Sequence, residues 1–302
     1  MILNFIISYL LMIVSIVYTY RSVRNSVPRR SVRLFQSTVD FATFKDTLNL
    51  TKEKIDKLNE LAEALTQWNL NVNLVSRKDI DLLIPNHILP CLSIYAYRPF
   101  KANERVIDVG TGGGLPGLPM AIMNLDTQFT LLDSSQKKMK VVSDIASRLG
   151  LSNVNVVCTR AEEYKAKHDF ITGRAVSALP NFLKWSSHLL DYDKLLTSTA
   201  EVASSGPHSS LLTGTTDRSN IHGGLLYLKG GDCTDELLEC QITPTSVAIT
   251  PVSELVPGLI SEKYVLYIPP IQLAAFSKRA IITAAVEAEE AERVKSSRKK
   301  AK

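Results

Sequence analysis

Acidic residues are missing from the first 39 positions of this 302-residue chain; Asp40 is its first carboxylate. That gap leaves two unusual segments. Ile2 to Val17 is nearly all apolar. It is short for a membrane span and lacks the basic residues that normally open a secretory signal. Behind it, Arg21-Ser-Val-Arg-Asn-Ser-Val-Pro-Arg-Arg-Ser-Val-Arg33 is rich in Arg and Ser, the composition of a transit peptide. Residues 1–40 are therefore expected to be a targeting segment. The plastid is favoured, because an apolar leader ahead of a transit-like run suits import across several membranes, and the mitochondrion comes second. A retained membrane anchor is the competing reading; after processing no stable membrane insertion is expected.

Cysteine is scarce as well. Cys91, Cys158, Cys233 and Cys240 form no C-x-x-C pair and have no His at ligand spacing. This excludes a disulfide framework, gives no zinc motif, and points to a reducing compartment. No metal is expected. Cys158 ends the apolar run Val154-Asn-Val-Val-Cys158 and is expected in the core. No internal repeat is apparent.

What is present fits a globular α/β protein. The hydrophobic fraction of 45% is enough for one sizeable core with extensions. The net charge of +5 is mild but concentrated at the ends, as in Arg293-Val-Lys-Ser-Ser-Arg-Lys-Lys-Ala-Lys302. Basic ends suit an anionic partner such as RNA, and equally suit solubility.

The most informative stretch is Arg105-Val-Ile-Asp-Val-Gly-Thr-Gly-Gly-Gly-Leu-Pro-Gly-Leu-Pro119. It reads as a buried strand, an acid near its end, a glycine loop and a helix that starts near Pro116. Such a loop receives ligands at the carboxyl edge of a parallel sheet. Gly112, Gly114 and Gly117 satisfy the dinucleotide pattern Gly-x-Gly-x-x-Gly. Asp108, Gly110, Gly112 and Gly114 satisfy the acid-x-Gly-x-Gly-x-Gly pattern of S-adenosylmethionine (SAM) sites. Asp133, closing the next apolar run, can accept ribose hydroxyls in either class. Asp108 discriminates, since SAM carries an ammonium and a sulfonium that favour a carboxylate.

Thr51 to Trp68 predicts an amphipathic helix capped by Thr51, with Ile55, Leu58, Leu61, Ala62 and Leu65 on one face. Apolar runs then predict strands at 106–109, 129–132, 154–157, 170–174, 225–229, 247–249 and 264–268, with helices near 137–149 and 179–190. Alternation of this kind predicts a doubly wound, mostly parallel, seven-stranded Rossmann-like sheet with an N-terminal helical extension. The expected domains are 41–100 for that extension, 101–270 for the α/β domain and 271–302 for a helical basic tail. The polar stretch 191–223 is expected to be a disordered insertion before the fifth strand, near the ligand face.

Taken together, the motifs resemble the bacterial 16S rRNA (guanine-N7) methyltransferase family, also called the glucose-inhibited division protein B family. Trp68-Asn69, Asn73-Leu74 and Ser76 look like its Trp-Asn…Asn-Leu-x-Ser segment. His87-Ile-Leu is similar to its Arg-His-Ile-Leu, with Asn86 in place of the arginine. Asp108 to Pro119 follows its glycine loop almost residue for residue. Leu131-Leu-Asp-Ser134, Arg160-Ala-Glu-Glu163, Arg174-Ala175 and Leu228-Lys-Gly230 resemble its later segments. The late strand Glu262-Lys-Tyr-Val-Leu-Tyr-Ile-Pro-Pro270 departs from the family's His/Arg-rich strand.

The resemblance implies SAM as cofactor, methyl transfer to a guanine N7 in small-subunit ribosomal RNA, and a monomeric enzyme acting on that RNA or on the small subunit. It implies that Asp108, Gly110, Gly112, Gly114, Leu115, Asp133, Ala161, Glu162 and Arg174 bind the cofactor. Arg174, Lys229, Asn73 and His87 are the implied catalytic or substrate-positioning residues. Residue chemistry leaves Glu162, His87, Asn73 and Ser76 evenly balanced between such roles and a turn or cap. Guanine N7 carries a lone pair and no proton, so no general base is expected. Two alternatives remain open: a SAM-dependent methyltransferase with another acceptor, and a non-catalytic RNA-binding module that keeps the fold.

Overall fold

The computed structural model describes residues 39–76, 78–196, 218–280 and 282. The segment up to residue 38 that was expected to serve targeting, the centre of the expected insertion and the basic tail from 283 lie outside the described residues. A compact unit begins at Phe41. Among the described residues no helix is long and apolar enough to cross a membrane.

Seven strands form one sheet: β1 Arg105–Val109, β2 Gln128–Asp133, β3 Val154–Cys158, β4 Phe170–Arg174, β5 Gly224–Gly230, β6 Ala248–Pro251 and β7 Lys263–Ile268. Their order is β3-β2-β1-β4-β5-β7-β6. β1 to β5 are parallel, whereas β7 runs antiparallel between β5 and β6. The chain winds outward from β1 to β3, then restarts at β4 on β1's other side. That reversal opens a crevice at the carboxyl edge between β1 and β4, where ligands bind in open α/β sheets.

Both faces are covered. Ile107 and Val109 join Phe182, Leu183, Tyr227 and Leu273 in one core layer. It is covered by helices α5 (Leu179–Ser186) and α6 (Thr234–Glu239) and by a helix at 270–280. Strand alternation turns Val106 and Asp108 to the other face. There lie α1 (Lys52–Asn69), α2 (Leu89–Tyr97), α3 (Gly117–Met123) and α4 (Gln136–Arg148), which pack on one another and on the sheet. The N-terminal helices are thus part of the domain's own core layer.

The amphipathic expectation for α1 holds. Leu58, Leu61, Ala62 and Leu65 are buried, and the Thr51 hydroxyl accepts from the Lys54 amide at 3.3 Å. α6 escaped the sequence reading, because a six-residue helix has too little periodicity to stand out. Two expectations are corrected. Cys158 is exposed, since β3 is an edge strand with one flank in water. The segment 191–223 is ordered at both ends: 192–196 is helical with Leu195 buried, and Arg218–Asn220 forms a 3-10 turn before buried Ile221.

Those ends also lie on the opposite side from the one expected. The Asp191 amide donates to the His168 carbonyl at 2.9 Å, and the Arg105 guanidinium bonds Asp191 at 2.8 Å. Arg105 and Phe170 open β1 and β4, so both ends of the segment sit at the amino edge. A helix-to-strand connection in a parallel sheet must return there. The Arg98 guanidinium fixes the returning end. It is 1% exposed, forms a bidentate pair with Glu104, donates to the Ile221 carbonyl at 2.7 Å, and lies 4.6 Å from the Phe170 ring centroid.

Removing one member of such a pair strands a buried charge. Glu104→Leu is expected to cost about 3–5 kcal/mol of stability, and Arg98→Met with Glu104→Leu to recover most of it. Urea denaturation of the three proteins checks this. Equal losses in the single and double variants would contradict the ion-pair account.

Candidate functional site

Four carboxyl-edge strand ends meet at the crevice. β1 delivers the glycine loop, β2 delivers Asp133, the turn after β3 carries Ala161 and Glu162, and β4 delivers Arg174. The loop leaves β1 through Gly110 and Thr111, whose amides both donate to the Leu132 carbonyl, at 2.8 and 3.0 Å. It enters α3 at Gly117. A Cβ at Gly117 would fall 1.9 Å from Leu131 Cδ2, so only glycine allows α3 this close to the sheet.

Asp108 lies under this loop. It is fully buried. Its Oδ2 accepts from the Thr111 hydroxyl at 2.6 Å and the Gly117 amide at 2.9 Å, while Oδ1 is 3.4 Å from the Thr172 hydroxyl. Burial pushes its pKa up to about 6, against the pull of those donors and of Arg174. The expected direct partner for a ligand ammonium is corrected: Asp108 has no exposed surface and shapes the loop from beneath.

The open side of the loop is at Gly110 and Gly112, the two partly exposed positions between Val109 and Gly117. Gly112 has φ +59, and a Cβ there would meet nothing nearer than the Gly110 carbonyl oxygen at 4.0 Å. Its amide donates to Asp133 Oδ2 at 3.1 Å, and Asp133 Oδ1 accepts from the Ser135 amide at 2.8 Å. A half-exposed carboxylate beside an empty glycine flank fits a ribose and the chain of a nucleoside ligand. Ala161 is buried and Glu162 exposed on the turn beyond β3. Leu115 is only 4% exposed and belongs to the packing behind the loop.

A second cluster faces the loop from β4, β7 and a π-helical turn over Ile84–Ile88. Pro90 has no N–H, so the Asn86 carbonyl lacks its usual helical donor. It accepts instead from Lys263 Nζ at 2.9 Å. The neighbouring His87 carbonyl accepts from Arg174 Nη1 at 3.2 Å. Burial, then Arg174 and Lys263, depress the His87 imidazole to about 3, so it is neutral at physiological pH. Its Nδ1 is buried and unpartnered among the described residues. Burial and Arg174 also lower Lys263. Lys263 is the site residue that sequence reasoning missed. The available signal was its place as first residue of a strand antiparallel to β5, which sets it at the carboxyl edge.

The remaining predicted residues are not brought into the crevice in the same way. Lys229 is corrected: its ammonium pairs with Glu236 at 2.5 Å and is 14% exposed, so it ties β5 to α6 and is not free for a phosphate. Asn73 is exposed on the turn after α1, and Ser76 accepts from the Lys78 amide at 3.3 Å. Trp68 bonds Asp144 of α4 at 2.8 Å, a structural role.

Known proteins share much of this sequence. The family model described as rRNA small subunit methyltransferase G matches residues 54–199. The chain is 40% identical over 191 residues to the ribosomal RNA small subunit methyltransferase G of Christiangramia forsetii, covering 62% of this chain and 78% of that protein. It is 41% identical over 195 residues to that of Flavobacterium psychrophilum, covering 64% and 80%. With that of Porphyromonas gingivalis it shares 33% identity over 222 residues, covering 73% and 89%.

Asp108 should leave a trace in stability. Its pKa is raised from 3.8 to about 6 on folding, so the folded state holds the proton more tightly. The contribution of this group therefore favours folding at low pH and is lost as pH rises between those values. The difference in unfolding free energy between wild type and Asp108→Asn should fall over that window and level off above it. A flat difference curve from denaturant titrations would refute the buried-carboxylate assignment.

Proposed function

Because this chain belongs to the small-subunit rRNA methyltransferase G family, we infer that it transfers a methyl group from SAM to N7 of one guanine in small-subunit ribosomal RNA. The observation that carries the reading is the joint geometry of the open Gly112 flank, the Asp133 carboxylate and the cations Arg174 and Lys263 at one sheet edge. The bound cofactor supplies the methyl group as an electrophilic sulfonium.

The protein's part is alignment. Asp133 accepts the ribose hydroxyls, the Gly110–Gly112 backbone lets the ligand approach closely, and Ala161 with Glu162 lies where the adenine is held. Arg174 and Lys263 face the substrate side and draw its phosphates or the guanine edge. N7 presents its lone pair unprotonated, so orientation and exclusion of water do the work that a base does elsewhere. A neutral His87 is consistent with this, offering a hydrogen-bonding nitrogen and no proton to exchange near neutrality. Asn73, exposed beside the loop, is a candidate contact to the RNA. The enzyme acts as a monomer.

The Arg- and Ser-rich run before Asp40 supports delivery to an organelle, the plastid first and the mitochondrion second. A fluorescent fusion of residues 1–50 should enter that organelle; a fusion that stays in the cytosol contradicts delivery.

Arg174→Ala should lower methyl transfer by roughly a hundredfold, in line with loss of a substrate-aligning group, while changing the melting temperature little. The assay is borohydride and aniline cleavage at N7-methylguanine in small-subunit rRNA from cells with and without the gene. Identical cleavage in both would end the rRNA reading and leave another SAM acceptor as the leading view.

A further inference from the structure

The glycine loop has a back as well as a front. Its front is the open Gly112 flank, braced by Asp133. Its back is Gly113, where a Cβ would stand 3.1 Å from Leu74 Cβ and 3.6 Å from Leu65 Cδ2. Both leucines come from the N-terminal helical segment. Leu65 is part of α1 and is fully buried. Leu74 sits on the turn that follows α1, and its position is not fixed by burial alone: Leu70 is 82% exposed, and Asn71 and Asn73 are exposed too.

One side chain fixes that turn. Asn69, the last residue of α1, is 8% exposed, and its Oδ1 accepts from the Leu74 amide at 2.8 Å and the Val75 amide at 2.9 Å. The Val75 amide is buried and the Leu74 amide partly so, and leaving such a donor without an acceptor is costly. α1 is itself pinned to α4, the helix that starts three residues after Asp133. Trp68 Nε1 donates to Asp144 at 2.8 Å and Lys57 Nζ to the Leu149 carbonyl at 2.8 Å. The helix that positions Asn69 and the helix that follows Asp133 therefore form one frame around the loop.

We propose that Asn69 is a positioning residue for the cofactor: it accepts the Leu74 and Val75 amides, seats Leu74 on the back of Gly113, and so holds the Gly112 flank in its ligand-receiving shape. Asn69 touches no ligand; it acts through Leu74 and Gly113. The inference rests on the reading that SAM binds this loop.

The test uses the full chain and S-adenosylhomocysteine, the methyl-transfer product, as probe. Calorimetry gives its Kd, thermal unfolding without ligand gives Tm, and amide exchange is read at Leu74 and Val75. Asn69→Leu keeps the size and removes the acceptor; Asn69→Asp keeps the acceptor. Asn69→Leu should raise Kd about tenfold and expose both amides to exchange, the scale of losing a buried hydrogen-bond acceptor. Asn69→Asp should stay within about threefold of wild type, a difference near the noise of a single interaction.

A merely structural role would lower Tm in Asn69→Leu and leave Kd unchanged, which overturns the proposal. Equal weakening in Asn69→Asp overturns it as well. If Asn69→Leu does not fold, Leu74→Ala decides: a raised Kd supports the proposal and an unchanged one overturns it. Wild type and Gly112→Val separate the premise from the inference. If wild type fails to bind the probe, or if Gly112→Val binds it as wild type does, the loop is not the cofactor site. If both behave as expected and Asn69→Leu binds normally, the inference alone is wrong.

Discussion

The Asp108 carboxylate is the constraint on which the site depends. It is an ion placed where no water reaches it, and it is tolerable there only because loop and helix supply donors. Those donors come from both ends of the glycine loop. Thr111 stands at its start and Gly117 at its end, so one acceptor draws the loop closed and sets the first amide of α3. With the loop drawn inward, its outer flank at Gly112 is the surface left for a ligand. Strand pairing places Asp108 between Leu131 and Thr172, so the acceptor that closes the loop belongs to the centre of the sheet.

Around that fixed loop the charges are arranged in two styles. Lys229 is paired with a carboxylate, and its field is largely cancelled close to home. Arg174 and Lys263 are held by backbone carbonyls of the π-helical turn. A carbonyl orients a cation without neutralising it. Neither cation is therefore cancelled by the group that holds it, although Asp79 stands near Lys263. A low-dielectric, half-buried mouth strengthens that attraction relative to an exposed surface pair.

Much of this was legible in the residues. The strand-loop-helix of Asp108 to Pro119, the amphipathic face of α1 and the alternating apolar runs carry periods and punctuation that survive without a structure. The Rossmann-like sheet and the placement of Asp133 and Arg174 at strand ends followed from them. What was not legible depends on direction and partner. Asp108 looked like a ligand contact because spacing puts it beside the loop, yet strand alternation turns it beneath. Lys229 looked free because its partner, Glu236, lies on a helix too short to announce itself. Lys263 was overlooked because its neighbours in space, Asn86 and Arg174, are remote in sequence. Cys158 looked buried because an edge strand and a central strand can share one apolar pattern.

The long segment before β5 leaves and re-enters the fold at the amino edge, with Leu195 buried at one end and Arg98 gripping the Ile221 carbonyl at the other. Closing a chain between two anchored points costs entropy that grows only with the logarithm of its length, roughly 0.6 kcal/mol for each doubling. Leu195 packs into the domain's core at one end, and Arg98 of the domain holds the other. Both described ends meet the sheet at the edge opposite the crevice, so a change of length in this segment enters the fold on the side away from the chemistry.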